Sequence, residues 1–73
     1  MDVENLVSMA NDIAAFFDSE PDKAIAVEGV RAHISRYWEQ RMRRAIIAHL
    51  QEKGGEGLTP TARSAIEKLA PVA

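Results

Sequence analysis

Apolar residues recur at steps of three and four along most of this 73-residue chain, the spacing that lines one side of an α-helix. Val3, Leu6, Val7, Ala10, Ile13, Ala14 and Phe17 form the first such stripe and predict a helix over residues 3–18. Asp2 is placed to cap it, and Glu4 adds negative charge at the positive end of the helix dipole. Met9 and Phe16 lie beside the stripe and widen the apolar face beyond what one packed neighbour needs. Ser19-Glu20-Pro21-Asp22 punctuates the pattern: Ser19 can cap, Pro21 suits a first turn, and Asp22 sits at capping-box spacing from Ser19. A second helix then runs to about Tyr37, with Ala24, Val27, Val30, Ile34 and Tyr37 inward. Gly29 within it costs about 1 kcal/mol relative to alanine, which suggests close approach of another helix.

A third helix covers roughly Glu39 to Lys53, with Met42, Ala45, Ile46, His49 and Leu50 on one face. A break at Trp38-Glu39-Gln40 is expected, because one continuous helix would run past about thirty residues in a chain too short to support it. Gly54-Gly55-Glu56-Gly57 ends the third helix. Thr59 caps a last one, Pro60 takes its first turn, Ala62, Ile66 and Leu69 face inward, and Pro71 stops it. No segment reads as a strand, a repeat or a low-complexity linker. The pattern predicts an all-α fold: one domain over residues 1–73, a compact bundle of three main helices plus a short C-terminal fourth helix.

Size makes such a bundle weak. A chain this short buries only about 60% of the surface its unfolded form exposes. It has no cysteine, which removes disulfides, thiolate zinc sites and cysteine-held iron–sulfur clusters. Its two histidines are far apart in sequence and offer too few ligands for a structural metal. Well-packed helices or a partner subunit remain as sources of stability. The start, Met1-Asp2-Val3-Glu4-Asn5, is acidic where a secretory signal would be basic, and the longest apolar run, Ile13-Ala14-Ala15-Phe16-Phe17, is far below a membrane span. A cytoplasmic protein with no membrane partner is expected.

Charge changes the picture more than composition does. The net charge of −2 hides an uneven distribution. Residues 1–30 carry seven acids against Lys23 alone, a net of −6, whereas residues 31–49 carry five arginines against Glu39 alone, a net of +4. Such a polarised molecule has a basic face to dock something and an acidic face to keep it soluble. The basic part centres on Arg36-Tyr37-Trp38-Glu39-Gln40-Arg41-Met42-Arg43-Arg44, which holds the only tryptophan and the only tyrosine. Arginine and tryptophan are enriched at protein interface hot spots. The same pairing could serve nucleic acid, with arginines on phosphates and aromatics on bases, but the acidic first helix opposes a polyanion. Trp38 can instead plug the corner between two helices, with the arginines a solvated face.

No catalytic set accompanies these residues. His33 and His49 lack a nucleophile, a base and an orienting carboxylate in motif spacing, and read as partly buried helix histidines bonded to their neighbours. The glycines at 54–57 follow a helix and no strand, so they are a turn and not a nucleotide loop. The residues thus point to protein binding with no catalytic, cofactor or metal site. Met9, Phe16 and Trp38 would form an apolar patch with Met42, rimmed by Arg36, Arg41, Arg43 and Arg44.

Several fragments, in order, resemble the delta subunit of the soluble, NAD-dependent, molybdenum-containing formate dehydrogenases. They are Leu6-Val7-x-Met9-Ala10-Asn11-x-Ile13 with Phe16-Phe17, then Pro21-Asp22, Val27-x-Gly29-Val30 and His33-Ile34. They continue as Trp38-Glu39-x-Arg41-Met42-Arg43, His49-Leu50 and Gly54-Gly55-x-Gly57-Leu58-x-Pro60. Each fragment is weak alone; their order within a chain of the same size is what makes the likeness specific. The chain departs from the family at Gln40, where proline is common after the acidic residue. That leaves Glu39 a poorer cap for the third helix. The resemblance implies a small companion of a larger enzyme. There a catalytic subunit with a molybdenum bis-pterin centre and iron–sulfur clusters oxidises formate to carbon dioxide. Further flavin and iron–sulfur subunits pass electrons to flavin mononucleotide (FMN) and then to NAD. The delta chain would hold none of these groups and would support assembly or keep the catalytic subunit competent. A free-standing regulatory protein, binding another protein or nucleic acid through the arginine segment, is the alternative.

Overall fold

The computed structural model describes residues 2–69, and these form four helices with no strand among them: α1 (Val3–Phe17), α2 (Lys23–Tyr37), α3 (Gln40–Lys53) and α4 (Pro60–Leu69). The all-α bundle with a short fourth helix is therefore what the sequence folds into. The stop expected at Pro71 lies outside the described residues.

Each helix boundary has a local cause. Asp2 caps α1 as expected, its carboxylate accepting the Glu4 backbone N–H at 3.0 Å. At α2 the cap is Asp22, not Ser19: the Asp22 carboxylate accepts the Ala24 N–H at 3.0 Å, while the Ser19 hydroxyl donates back to the Phe16 carbonyl. Aspartate is as good a cap as serine, and starting at Lys23 leaves Pro21 in the turn before the helix. The break between α2 and α3 falls where the sequence places it, with Trp38 in extended backbone (φ −85°, ψ 141°). Glu39 caps α3 without any side-chain hydrogen bond, as a residue with too long a side chain does. Gly54 ends α3 at φ 67°, a left-handed conformation open to glycine at little cost. Thr59 opens α4, its hydroxyl accepting the Ala62 N–H at 3.3 Å.

The core is made of small and branched residues. Leu6, Ala10 and Ala14 from α1 meet Val27, Val30 and Ile34 from α2, Ile46 from α3, and Ala62, Ala65 and Ile66 from α4, with Trp38 and Leu58 closing the ends. The buried alanines let helix axes come close, and α2 in particular packs against both α1 and α4. Close approach is also visible at Gly29, as its position in α2 suggests. A methyl group there would lie 2.5 Å from the ring of Phe17 on α1, too near for any side chain without movement.

Two inward assignments in α2 are corrected. Ala24 and Tyr37 are exposed, and Ala26 is buried in their place. Ala24 occupies the first turn, beyond the neighbouring helices, and the buried arc rotates toward Ala26 because α2 is clasped on two sides. In α3 only Ile46 is fully buried, while Met42, Ala45, His49 and Leu50 are half-buried. Helix α3 contacts α4 and α1 but barely touches α2, so its inward face is only partly covered.

Candidate interaction surface

The corner between α2 and α3 is built around Trp38. Its indole is buried, with 5% of the residue exposed, and the Trp38 backbone N–H closes the last turn of α2 on the Ile34 carbonyl at 3.0 Å. Trp38 is therefore a core residue and not part of an outward apolar patch. A large ring at a sharp corner fills the gap that two diverging helices leave. Arg43 serves the same corner. Its guanidinium donates to the Trp38 carbonyl and, at 3.4 Å, to that of Ser35. Carbonyls at a helix C-terminus lack partners within the helix and sit at the negative end of its dipole, so a cation bridging back from α3 seals α2. Met42 and Met9 are half-buried and packed against the core.

The remaining arginines are free. Arg36, Arg41 and Arg44 are exposed, and among the described residues the ion pairs are Lys23–Asp18 and Arg31–Glu28, neither involving these three. They lie within the last turn of α2 and the opening turns of α3, with Tyr37, Trp38, Glu39 and Gln40 between Arg36 and Arg41 at the corner. Tyr37 joins them outward, 67% exposed, its ring 4.8 Å from that of His33. Phe16, on the outer side of α1, is 75% exposed and stands edge-on to Phe17 at 5.1 Å. Between α1 and α2 runs a cleft of about 380 Å³ lined by Asp12, Ile13, Phe16, Phe17 and His33. It shares Phe17 and His33 with a smaller one that continues past Gly29 and Ala32 to Arg36 and Tyr37.

Thus Phe16, Arg36, Arg41 and Arg44 face solvent, Trp38, Met42 and Met9 turn inward, and Arg43 is committed to a helix end. Sequence reasoning missed the cleft beside Phe16 and the outward Tyr37. Tyr37 carried one usable signal, its place as the last helical residue before the break.

Polar side chains elsewhere serve the fold. Asn11, on α1, donates to the Gly57 carbonyl and accepts the Thr59 N–H, both at 2.9 Å, clamping the α3–α4 loop. Thr61 is buried and donates to Asp18 at 2.6 Å, and Lys23 reaches the same carboxylate at 3.3 Å. These bonds, Thr61 first and Lys23 after it, hold the Asp18 carboxyl below its ordinary value. His49 is half-buried, with Nε2 2.8 Å from the Glu56 carbonyl; a tautomer carrying the proton on Nε2 donates there. Among the described residues no three His, Asp or Glu side chains gather as metal ligands do, and the sequence has no cysteine. Without a thiolate, this donor set does not fit a cysteine-held iron–sulfur cluster. Among the described residues no helix is long and apolar enough to cross a membrane.

What these features define is a small helical protein with a mixed apolar and basic face and with Asn11, Thr61, Asp18 and Lys23 tying its helices together. The family of the NADH-dependent formate dehydrogenase delta subunit, FdsD, matches residues 5–66, and the chain belongs to it. Neither the curated proteins nor the solved structures contain a match to this chain.

Proposed function

We propose that this chain is a non-catalytic accessory subunit of an NAD-dependent formate dehydrogenase in the cytoplasm, binding the molybdenum-containing catalytic subunit and supporting its assembly or competence. The observation that carries the reading is the family match over residues 5–66. In such a complex the other subunits hold the molybdenum bis-pterin centre, the iron–sulfur clusters and FMN, and deliver electrons to NAD. No step of formate oxidation is assigned to residues of this chain. Its contribution is surface. Phe16 supplies exposed apolar area, and Arg36, Arg41 and Arg44 supply positive charge with no carboxylate partner among the described residues. Docking against a partner would also stabilise a domain whose own core is small, because binding only the folded form shifts the folding equilibrium.

The test is purification of the assembled dehydrogenase with and without this chain. The chain should co-elute with the catalytic subunit, and its omission should lower the yield of assembled, molybdenum-loaded enzyme. Arg41→Glu with Arg44→Glu should weaken co-elution while leaving the helical fold intact. A chain that elutes alone, with the complex fully assembled and loaded in its absence, would overturn the reading.

A further inference from the structure

The cleft between α1 and α2 has the properties of a binding groove, and nothing within the fold uses it. Its walls are apolar: Ile13, Phe16 and Phe17 on α1 face His33 on α2. At Gly29, which lines its continuation toward Arg36, the absent side chain lets the Phe17 ring lie flush against α2. Phe16 stands at its edge with 75% of its surface in solvent, and Tyr37 at the far end with 67%. Two large exposed aromatics on one continuous face are an anomaly in a domain whose core is short of large side chains, and exposed apolar patches rimmed by polar groups mark interaction sites. Tyrosine, phenylalanine and arginine are also the types that anchor interfaces.

Charge says what the occupant is. The groove ends on Arg36, and Arg41 and Arg44 follow directly across the α2–α3 corner, all three without a carboxylate partner among the described residues. Asp12 is the single acidic residue lining the groove. A second copy of this chain presenting the same face would bring one such carboxylate against three free guanidiniums and leave a positive surplus at the contact. A partner with its own carboxylates would not.

We propose that the α1–α2 groove takes an amphipathic helical segment of another subunit, whose apolar side chains fill the cleft beside Phe16 while its Asp or Glu residues pair with Arg36, Arg41 and Arg44. The groove between two antiparallel helices is the shape that receives a third helix, and side chains at three- and four-residue spacing would follow it. The proposal rests on the accessory-subunit reading and adds the face and the chemistry of the partner.

The experiment uses the assembled dehydrogenase containing the full chain, with a photo-crosslinking benzoylphenylalanine placed at Phe16 in one preparation and at the exposed Glu52 of α3 in another. The expected result is a crosslink from position 16, and none from position 52, to a partner segment with one apolar face flanked by carboxylates. Alongside it, Phe16→Asp and Tyr37→Glu should each cut co-purification by about tenfold or more, the scale of an interface anchor, with an unchanged circular dichroism spectrum. Both sites are exposed, so the fold tolerates the changes. If the unsubstituted chain co-purifies but position 16 crosslinks only to a second copy, to nothing, or no better than position 52, the groove proposal falls and the accessory reading stands. If the unsubstituted chain does not join the complex at all, both fall.

Discussion

Two ends of this small bundle handle polar residues in opposite ways. Where α4 docks, polar side chains pair across the fold. Asn11 of α1 holds the loop at Gly57 and Thr59 from both its donor and its acceptor, and buried Thr61 ties α4 to Asp18 and Lys23 at the α1–α2 turn. At the α2–α3 corner only Arg43 is spent in this way, while Arg36, Arg41, Arg44 and Tyr37 are left in solvent. Both ends face the same problem, a chain reversal with unpaired backbone groups. The first solves it with side chains from distant helices. The second solves it with one buried ring, Trp38, and one local cation, and leaves its remaining charge unneutralised. A charged surface that the fold does not use is available to a partner, whereas Asn11 and Thr61 at the α4 end are already committed to the fold.

The largest effect is expected from Trp38→Ala. Removing a buried indole from the corner should cost about 3–5 kcal/mol, seen as a large fall in the urea midpoint of unfolding with the slope unchanged. Next comes Asn11→Ala, which strips the Gly57 carbonyl and the Thr59 N–H of their partner in one step. About 1–3 kcal/mol is expected, with hydrogen exchange rising in the 57–59 loop well before it rises in α1. If exchange rises uniformly instead, the α4 end is not held locally by this clamp.

The third test is acid. Asp18 has a carboxyl held below its ordinary value of 3.8, chiefly by the Thr61 hydroxyl and then by Lys23. A carboxyl that binds protons less readily when folded contributes stability that is present above its unfolded value and is lost as the pH falls through its folded one. Melting temperature should therefore decline as the pH drops below about 4, and Thr61→Val should flatten part of that decline. An unchanged acid profile in Thr61→Val would show that the hydroxyl does not tune Asp18. The smallest effect belongs to the free corner. Arg41→Ala and Arg44→Ala should change the stability of the isolated chain by less than about 0.5 kcal/mol, as solvent-exposed positions do. Arg43→Ala, one residue away, should cost about 1 kcal/mol through the loss of a helix-end bond. Equal effects at all three would erase the distinction between the spent arginine and the free ones.

The four helices, three of their caps and the break before Gln40 could be read from the chain. The reason is that period, capping residues and glycine placement act over a few residues and need no tertiary partner. The α2 cap moved from Ser19 to Asp22 because two good capping residues competed within one turn, and local preference did not separate them. The candidate surface was legible only as a segment. That a basic, aromatic stretch stood between α2 and α3 was plain. Which members faced outward depended on how α2 was clasped by α1 and α4, and this put Tyr37 in solvent and Trp38 in the core.

The sequence by itself determined the fold class, the absence of any thiol ligand, the charge polarity along the chain and the likeness to the delta-subunit family that the match over residues 5–66 bears out. Each is a property of residue type and order. The tertiary structure alone decided that Arg43 caps a helix while Arg36, Arg41 and Arg44 stay free. It also decided that Asn11 and Thr61 lock α4 in place, and that Phe16 overhangs an apolar groove. Those outcomes turn on contacts between residues up to 48 positions apart, and no local pattern encodes which distant backbone a side chain will meet.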